Sequence, residues 1–213
     1  MKVTILDGYI DEPACLGVPP FISPQVRAAA GAAISAGAEV EYITIDKIRK
    51  NNAELNSDVT LFMSGNAVPG KYLRAMPASK KEVLEISCHI PGVSIIGGPA
   101  ALDSEMCSSF DYSSKNDPAV SLYEILKGKE VSQRLRNLEE WNEWQIKGAH
   151  IVKDHPDFPD PLIAEVESYR GCIRYKSGGC SFCIEPLKGE PLFRQPSDII
   201  EECAKLTEYG VHN

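Results

Sequence analysis

The sequence lacks several features that would place it in a special class of protein. No apolar run approaches the roughly 20 residues that a membrane-spanning helix needs. The first residues, MKVTILDGYIDEP, lack the basic-then-apolar pattern of a secretory signal and instead predict a strand. Positive charge is not in excess, because 22 Lys and Arg stand against 30 Asp and Glu. We therefore expect no membrane partner, and a nucleic-acid partner is not indicated.

The seven cysteines do not form a secreted disulfide framework. Their number is odd, no signal precedes them, and 213 residues can build a core without covalent staples. We therefore expect a cytoplasmic protein with reduced thiols. Three of them, Cys172, Cys180 and Cys183, fall within twelve residues, and such a cluster in a reducing compartment favours a metal site. Cys88, Cys107 and Cys203 are interpreted as core residues, since a free cysteine behaves as a small hydrophobe.

Apolar runs alternate with helical patterns over residues 1–128. The predicted strands are 2–7, 39–45, 58–65 and 93–98, and the predicted helices begin at Ser23-Pro24, near 77 and near 119. Ser23 is a good N-cap with proline at the first helical position, and Gly37 is a plausible C-terminal cap. This alternation predicts an α/β fold, namely a Rossmann-like, doubly wound parallel sheet with helices on both faces.

Residues 129–162 differ in character and predict a helical and proline-rich linker. The polar segment 129–147 is expected to be helical, with Trp141 and Trp144 packing between domains. The three prolines within 155–162 predict an extended connection and mark the domain boundary.

Residues 163–213 predict the start of a second domain. We expect a strand at 163–168, then the cysteine loop, then a helix from Pro196 to Gly210. The predicted buried face of that helix carries Ile199, Ile200, Cys203 and Leu206. One strand and one helix cannot bury their own apolar faces, so this domain is expected to be incomplete, with 211–213 beginning another strand.

Three thiolates in one glycine-rich loop can bind one metal centre. Gly171, Gly178 and Gly179 give the loop the backbone freedom to wrap around it. Thiolate-only ligation selects zinc or iron–sulfur chemistry. A structural zinc and an all-cysteine iron–sulfur cluster both take four protein ligands. A site with three thiolates therefore leaves one coordination position of the metal open, and such a position is used in catalysis.

At these residues the sequence resembles the radical S-adenosylmethionine (SAM) superfamily. The resemblance is carried by Arg170-Gly171-Cys172 and by Gly179-Cys180-Ser181-Phe182-Cys183, although seven residues separate the first two cysteines where most of the superfamily has three. It implies that Cys172, Cys180 and Cys183 hold a 4Fe–4S cluster and that SAM chelates its fourth iron. An electron from an external donor would then cleave SAM to a 5′-deoxyadenosyl radical, which abstracts hydrogen from an unidentified substrate.

The same resemblance assigns cofactor-binding roles and a fold to the C-terminal part. Phe182 would pack near the adenine of SAM, and Arg170 would act on the cluster or SAM side. Residues 163–213 would form the first β/α unit of a truncated TIM-type radical SAM barrel. The 213-residue chain alone is then expected to be inactive, because it lacks the later barrel strands.

The first half is similar to the cobalamin-binding-type domain that precedes many such barrels. Gly17-Val18-Pro19-Pro20 and Gly97-Gly98-Pro99 resemble that arrangement, and an archaeal group with the same HP-x-FP linker, at 155–159 here, is the most similar. The family's Asp-x-His-x-x-Gly motif is absent, and Asp7-Gly8-Tyr9-Ile10-Asp11 stands in its place. Either cobalamin binds without a protein imidazole, which would allow methyl transfer, or the domain has kept the fold and lost the cofactor.

A second hypothesis comes from a different class of protein. The chain could be a non-catalytic zinc- or ligand-binding module attached to a Rossmann-like interaction domain. Metal content separates the two hypotheses, since one predicts iron with inorganic sulfide and the other a single zinc.

Overall fold

The structure of the chain, a computed structural model, describes residues 1–9, 20–50, 53–65, 76–181, 183 and 185–213. Its strands are β1 (Lys2–Asp7), β2 (Phe21–Ile22), β3 (Glu39–Thr44), β4 (Val59–Met63), β5 (Val93–Gly97), β6 (Tyr112–Ser113), β7 (Ile163–Ala164), β8 (Tyr169–Arg170) and β9 (Leu192–Phe193). Its α-helices are α1 (Pro24–Ser35), α2 (Ile45–Arg49), α3 (Lys80–Ser87), α4 (Ser104–Ser108), α5 (Pro118–Leu126), α6 (Leu138–Gly148) and α7 (Pro196–Glu208). Short 3₁₀ helices occupy Pro99–Leu102, Ala149–Asp154, Tyr175–Ser177 and Glu185–Lys188.

A five-stranded sheet forms the centre of the fold. Its strand order is β3-β1-β4-β5-β6, and every neighbouring pair is parallel. Strand β1 therefore lies between β3 and β4, so the connections leave β1 in opposite directions along the sheet and place helices on both faces. This confirms the prediction of a Rossmann-like α/β fold. The fifth strand, β6, was not expected, because two residues give no apolar run.

Each face of the sheet has its own apolar core. On one face, Val3 and Ile5 of β1 pack with the alanine-rich α1, with α5 and with Trp144 of α6. On the other face, Leu6 and Phe62 pack with residues of α3 and α4. Alternate residues of a strand point to opposite faces, so the strands between two cores read as continuous apolar runs.

Helix α1 begins where the sequence predicts it. The Ser23 hydroxyl accepts a hydrogen bond from the Gln25 amide at 3.1 Å, and Pro24 occupies the first helical position. At the other end, Gly37 has the positive φ of 90° expected of a C-terminal cap.

The segment 129–162 differs from the prediction in two ways. Residues 129–137 are not helical, because α6 begins at Leu138 behind a capping box formed by Asn137 and Glu140. Residues 155–162 form consecutive turns instead of an extended connection, and the Phe158–Pro159 and Asp160–Pro161 peptide bonds are both cis. The segment packs against the sheet domain through α6, which lies directly on α1.

Within the described part of the chain, no helix combines the length and the apolar character that crossing a bilayer requires.

Candidate functional site

The backbone that leads to the cysteines lies between two other segments. The amides of Ile163 and Glu165 donate to the carbonyls of Pro20 and Ile22, at 3.0 and 3.3 Å. On the opposite side, the Ala164 amide donates to the Asn213 carbonyl at 3.1 Å. The predicted strand over 163–168 is thus shortened to β7 with β2 as its parallel partner, and 211–213 is not assigned as a strand.

The cysteine loop starts from a short hairpin. Strand β8 pairs antiparallel with β9, and the rings of Tyr169 and Phe193 stack across it at 5.5 Å. The Gly171 amide then donates to Glu185 Oε2 at 2.9 Å, and the Cys172 amide donates to the Gly189 carbonyl at 3.0 Å. These bonds fix the first cysteine against the segment that follows the third.

Two glycines of the loop stand where no other residue fits. Gly171 has a φ of 88°, and a Cβ there would lie 2.4 Å from the Glu190 carbonyl oxygen. Gly179 has a φ of 69°, and its Cβ would lie 2.1 Å from Cγ of Pro186. The loop therefore requires glycine both for the left-handed backbone and for the close approach.

The structure brings two of the three cysteine sulfurs to one arginine. The Arg174 amide donates to Cys172 Sγ at 3.3 Å, and Arg174 Nη1 lies 4.0 Å from Cys180 Sγ. The Cys183 amide donates to the Cys180 carbonyl at 3.1 Å, which places the third cysteine in the next turn of the loop. Sequence reasoning missed Arg174, although its position between the first two cysteines was a usable signal.

The donor set fits a thiolate-bound metal centre in its chemistry. All three cysteines are reduced, and none is fully buried. Among the residues that the structure describes, no three His, Cys, Asp or Glu side chains are gathered tightly enough to hold a metal ion. Binding of one metal centre by all three thiolates would require the three sulfurs to lie closer together than they do here.

The two predicted SAM-side residues have different outcomes. Phe182 lies outside the described residues, so its role near adenine stays a prediction. The Arg170 side chain is buried, with 7% of its surface exposed, and donates to the Arg136 carbonyl. Its guanidinium is therefore held inside the protein, beneath the start of the loop.

A buried tryptophan and three arginines lie beneath the start of the loop, and together we call them the floor of the loop. Trp141 has no exposed surface, and three guanidinium carbons lie near its ring centroid: Arg170 at 4.9 Å, Arg136 at 5.5 Å and Arg194 at 5.7 Å. The quadrupole of the ring favours cations over its face. Trp141 thus packs against residues of the predicted linker and of the cysteine-containing part, while Trp144 packs on Tyr123 at 5.4 Å.

An ion triad joins this floor to α1. Glu202 of α7 is fully buried and accepts from Arg27 of α1 at 2.6 Å through one carboxylate oxygen and from Arg194 through the other. Arg27 also donates to the Ile22 carbonyl at 3.0 Å, next to β7. The triad is a fully buried polar contact between the sheet domain and the helix that follows the cysteine loop.

The triad explains a wrong prediction about α7. The structure buries Glu202 and Leu206, whereas Ile200 is 67% exposed and Cys203 is also exposed. The apolar pattern had placed Ile200 and Cys203 inside, but two arginines draw the carboxylate inward and rotate the helix. Cys88 is likewise exposed and not a core residue.

At the carboxyl edge of β1, the side chains that the structure describes contact one another. Asp7 accepts from the Tyr42 hydroxyl at 2.7 Å and from the Tyr9 amide at 2.8 Å, and the His155 ring stacks on Tyr42 at 6.3 Å. Burial lowers the pKa of His155 to about 4. Residues 10–19 and 66–75, which follow β1 and β4, lie outside the described residues. Cobalamin binding therefore stays a prediction.

Comparison with known proteins gives relatives without an assigned activity. The chain is 41% identical over 231 residues to an uncharacterized protein of Methanocaldococcus jannaschii, covering 99% of this chain and 42% of that protein. It is 35% identical over 218 residues to an uncharacterized protein of Archaeoglobus fulgidus, covering 100% of this chain and 39% of that protein. The chain thus spans about two-fifths of the length of the curated relatives it matches. No family model and no solved structure matches it.

Proposed function

We propose that the chain is the cluster-binding part of a radical SAM enzyme. The observation that carries the proposal is the loop itself, in which three reduced cysteines follow a strand segment and two of their sulfurs lie against Arg174. A zinc ribbon would supply a fourth ligand from nearby, whereas this loop has three cysteines.

Cys172, Cys180 and Cys183 would hold a 4Fe–4S cluster and leave one iron open for SAM. The chemistry that the cluster supplies when bound is the one-electron reductive cleavage of SAM, which gives methionine and a 5′-deoxyadenosyl radical that takes hydrogen from a substrate. The electron would come from a separate donor protein. The Arg174 guanidinium would place a positive charge beside the Cys180 sulfur, which is negative as a metal ligand, and the Arg174 amide would donate to the Cys172 sulfur.

The residues around the loop would position the cysteines. Glu185 binds the Gly171 amide, and the Gly189 carbonyl binds the Cys172 amide. Arg170 would act from below as a positioning residue, since its guanidinium is bonded to the Arg136 carbonyl under the loop. Phe182 would pack on the adenine.

The arrangement around β7 supports a β/α unit of a barrel. The two ends of this unit, 163–165 and 213, are hydrogen bonded side by side, with α7 between them in sequence. Its outer surface exposes apolar side chains, among them Phe193 at 64% and Ile200 at 67%. Such a surface is suited to packing against further chain, and the curated relatives are more than twice as long as the matched region.

Methyl transfer is not part of this proposal. It would depend on cobalamin at the carboxyl edge of the sheet, and the residues described there bond to one another. Hydrogen abstraction by the 5′-deoxyadenosyl radical does not depend on cobalamin.

The test is anaerobic reconstitution of the chain with iron and sulfide. The expected result is about four irons and four sulfides per chain with broad visible absorbance. The matched variants are a Cys172→Ala/Cys180→Ala/Cys183→Ala triple variant, which should bind none, and Cys203→Ala, which removes an exposed cysteine of α7 and should bind the full amount.

Two results would contradict the proposal. Equal iron in the triple variant would show that the metal is adventitious. A chain that takes one zinc through the same cysteines and refuses iron would favour the zinc-binding module instead. In a protein with the full length of the relatives, the further expectation is 5′-deoxyadenosine formation that requires both a reductant and the three cysteines.

A further inference from the structure

Two small cavities lie between the sheet domain and the segment that follows the cysteines. One is about 20 Å³ in volume, and Arg136 and Arg170 line it. The other is about 50 Å³ and extends to Gly98 and Lys115 at the carboxyl ends of β5 and β6. The two share part of their lining, namely Gln25, Asn116, Pro118 and Lys188. The two cavities are therefore adjacent, and together we call them the cleft, with the smaller cavity beside the two buried arginines as its inner end and the larger one as its outer end.

The inner end contains buried nitrogen atoms that lack an acceptor. Among the residues described, neither Nη1 of Arg136 nor Nη1 of Arg170 has a hydrogen-bond partner. Both side chains are more than nine-tenths buried, and the nearest carboxylate to Arg170 Nη1 is Asp117 Oδ2 at 4.0 Å. A buried charged donor without an acceptor is costly, so a ligand that supplies an acceptor would be stabilised there.

The charges around the inner cavity are balanced. Arg136 and Arg170 line it together with the carboxylates of Asp117 and Glu167, and Lys188, which also lines it, is paired with Glu185 at 2.5 Å. An anion is therefore favoured by the two Nη1 donors without an acceptor and not by an excess of positive charge.

The carboxylates that line the inner cavity are also occupied. Asp117 Oδ2 lies 3.2 Å from Arg136 Nε, and Glu167 Oε2 lies 3.1 Å from Arg136 Nη2. Asp117 Oδ2, which lies 4.0 Å from Arg170 Nη1, is therefore shared between the two arginines.

Two helices begin at the same cleft. Gln25 is the second residue of α1 and Pro118 is the first residue of α5, and both line the two cavities. The amino end of a helix carries a partial positive charge. At α5 the carboxylate of Asp117 caps this end and offsets the charge, whereas α1 is capped by the neutral hydroxyl of Ser23 and adds to the potential that attracts an anion.

We propose that this cleft binds a small molecule through one oxyanion group, a carboxylate or a phosphate, whose oxygen occupies the inner cavity between Arg136 and Arg170. A cavity of about 20 Å³ admits one water-sized atom, which suits a single oxygen and not the whole group. The rest of the ligand lies in the outer cavity near Lys115. The site requires no iron–sulfur cluster and goes beyond the proposed function.

Tryptophan fluorescence tests the proposal, because Trp141 touches both arginines. The probes are inorganic phosphate and acetate, each titrated against sodium chloride of matched ionic strength, with a Trp144→Phe variant to isolate Trp141. The expected result is a saturable change with phosphate or with acetate that chloride does not reproduce. The stronger of the two identifies a phosphate or a carboxylate ligand.

The decisive variant is Gln25→Glu. A carboxylate near the start of α1 does not oppose helix formation, so the variant should fold, but it repels an anion in the cleft. We expect roughly tenfold weaker binding of the better probe. The matched control is Asn56→Asp, which adds the same charge in an exposed position just before β4, at the amino edge of the sheet. Arg170→Gln should abolish binding.

The proposal is overturned if all three anions act equally at each ionic strength, which would indicate that the inner cavity holds only water. It is also overturned if Gln25→Glu and Asn56→Asp bind the better probe equally. If Arg170→Gln does not fold, the comparison of Gln25→Glu with Asn56→Asp still tests the proposal.

Discussion

Gly31 of α1 and Gly148 at the end of α6 lie in backbone contact. A Cβ atom on Gly148 would stand 2.9 Å from the Gly31 amide nitrogen and 1.8 Å from the Arg27 carbonyl oxygen. A Cβ on Gly31 would stand 1.9 Å from the Trp144 carbonyl oxygen. The two helices therefore touch without side chains between them, and this contact fixes the position of Trp141 under the cysteine loop.

Gly148→Ala should destabilise the protein, although alanine is the better helix former. The added methyl group meets backbone atoms that cannot move aside, and overpacking of this kind costs about 1–3 kcal/mol. Urea unfolding measures the change in the free energy of unfolding. The control is Lys147→Ala, the adjacent residue, whose side chain is 42% exposed. Equal effects of the two variants would count against the close contact.

Glu202→Gln should cost about 3–5 kcal/mol, because it leaves the buried guanidiniums of Arg27 and Arg194 without a charged partner. The matched variant is Glu201→Gln, one residue earlier on the exposed side of the same helix, with an expected change within about 0.5 kcal/mol. Chemical unfolding followed by circular dichroism distinguishes them. A loss below about 1 kcal/mol for Glu202→Gln would mean that the triad adds nothing to stability.

His155 should make the protein less stable in acid. Its pKa is lowered from 6.5 to about 4, chiefly by burial, with Asp157 opposing and Lys47 reinforcing the shift. Below pH 6.5 the unfolded chain binds a proton at His155, whereas the folded chain does not bind it until the pH approaches 4. The free energy of unfolding therefore falls by roughly 3 kcal/mol as the pH drops from 6.5 to 4.

His155→Phe is the variant that checks this, since it keeps an aromatic ring against Tyr42. Between pH 7 and pH 5, the free energy of unfolding should fall less for the variant than for the unchanged chain. Parallel pH profiles would contradict the assignment.

Gly179→Ala should impair iron binding more than Gly178→Ala does. Both glycines have a positive φ, but only at Gly179 does a Cβ meet a neighbour, Pro186, whereas Gly178 has open space. We expect roughly tenfold weaker iron affinity for Gly179→Ala, with the overall unfolding transition little changed. Iron per chain after reconstitution gives the answer, and equal loss in the two variants would indicate that backbone strain alone is responsible.

The sheet domain could be predicted from the sequence because its signals are local. Strands β1 and β4 are apolar runs that lie between two cores. The dipeptide Ser23-Pro24 is enough to predict the start of α1. Strand β6 could not be predicted in the same way, since it is two residues long and is defined only by pairing with β5.

The site was predictable only in part, for the same reason. The cysteine spacing is visible in the sequence, as are Gly171, Gly178 and Gly179, but only the structure shows which of these glycines stand against a neighbour. The floor beneath it depends on Arg136, Arg170 and Arg194 meeting at Trp141, and these residues are charged and distant in sequence. A hydropathy pattern places a glutamate such as Glu202 outside, because it contains no information about an arginine 175 residues away.

The separation of 175 residues between Arg27 and Glu202 also determines the order in which these parts of the protein are synthesised. A ribosome that adds about 5–20 residues per second needs roughly 10–35 s between Arg27 and Glu202. During this interval Arg27 has no carboxylate partner from α7, and all three cysteines of the loop are synthesised before that partner exists. The cysteine loop is therefore synthesised in full before the ion triad that joins α7 to α1 can form.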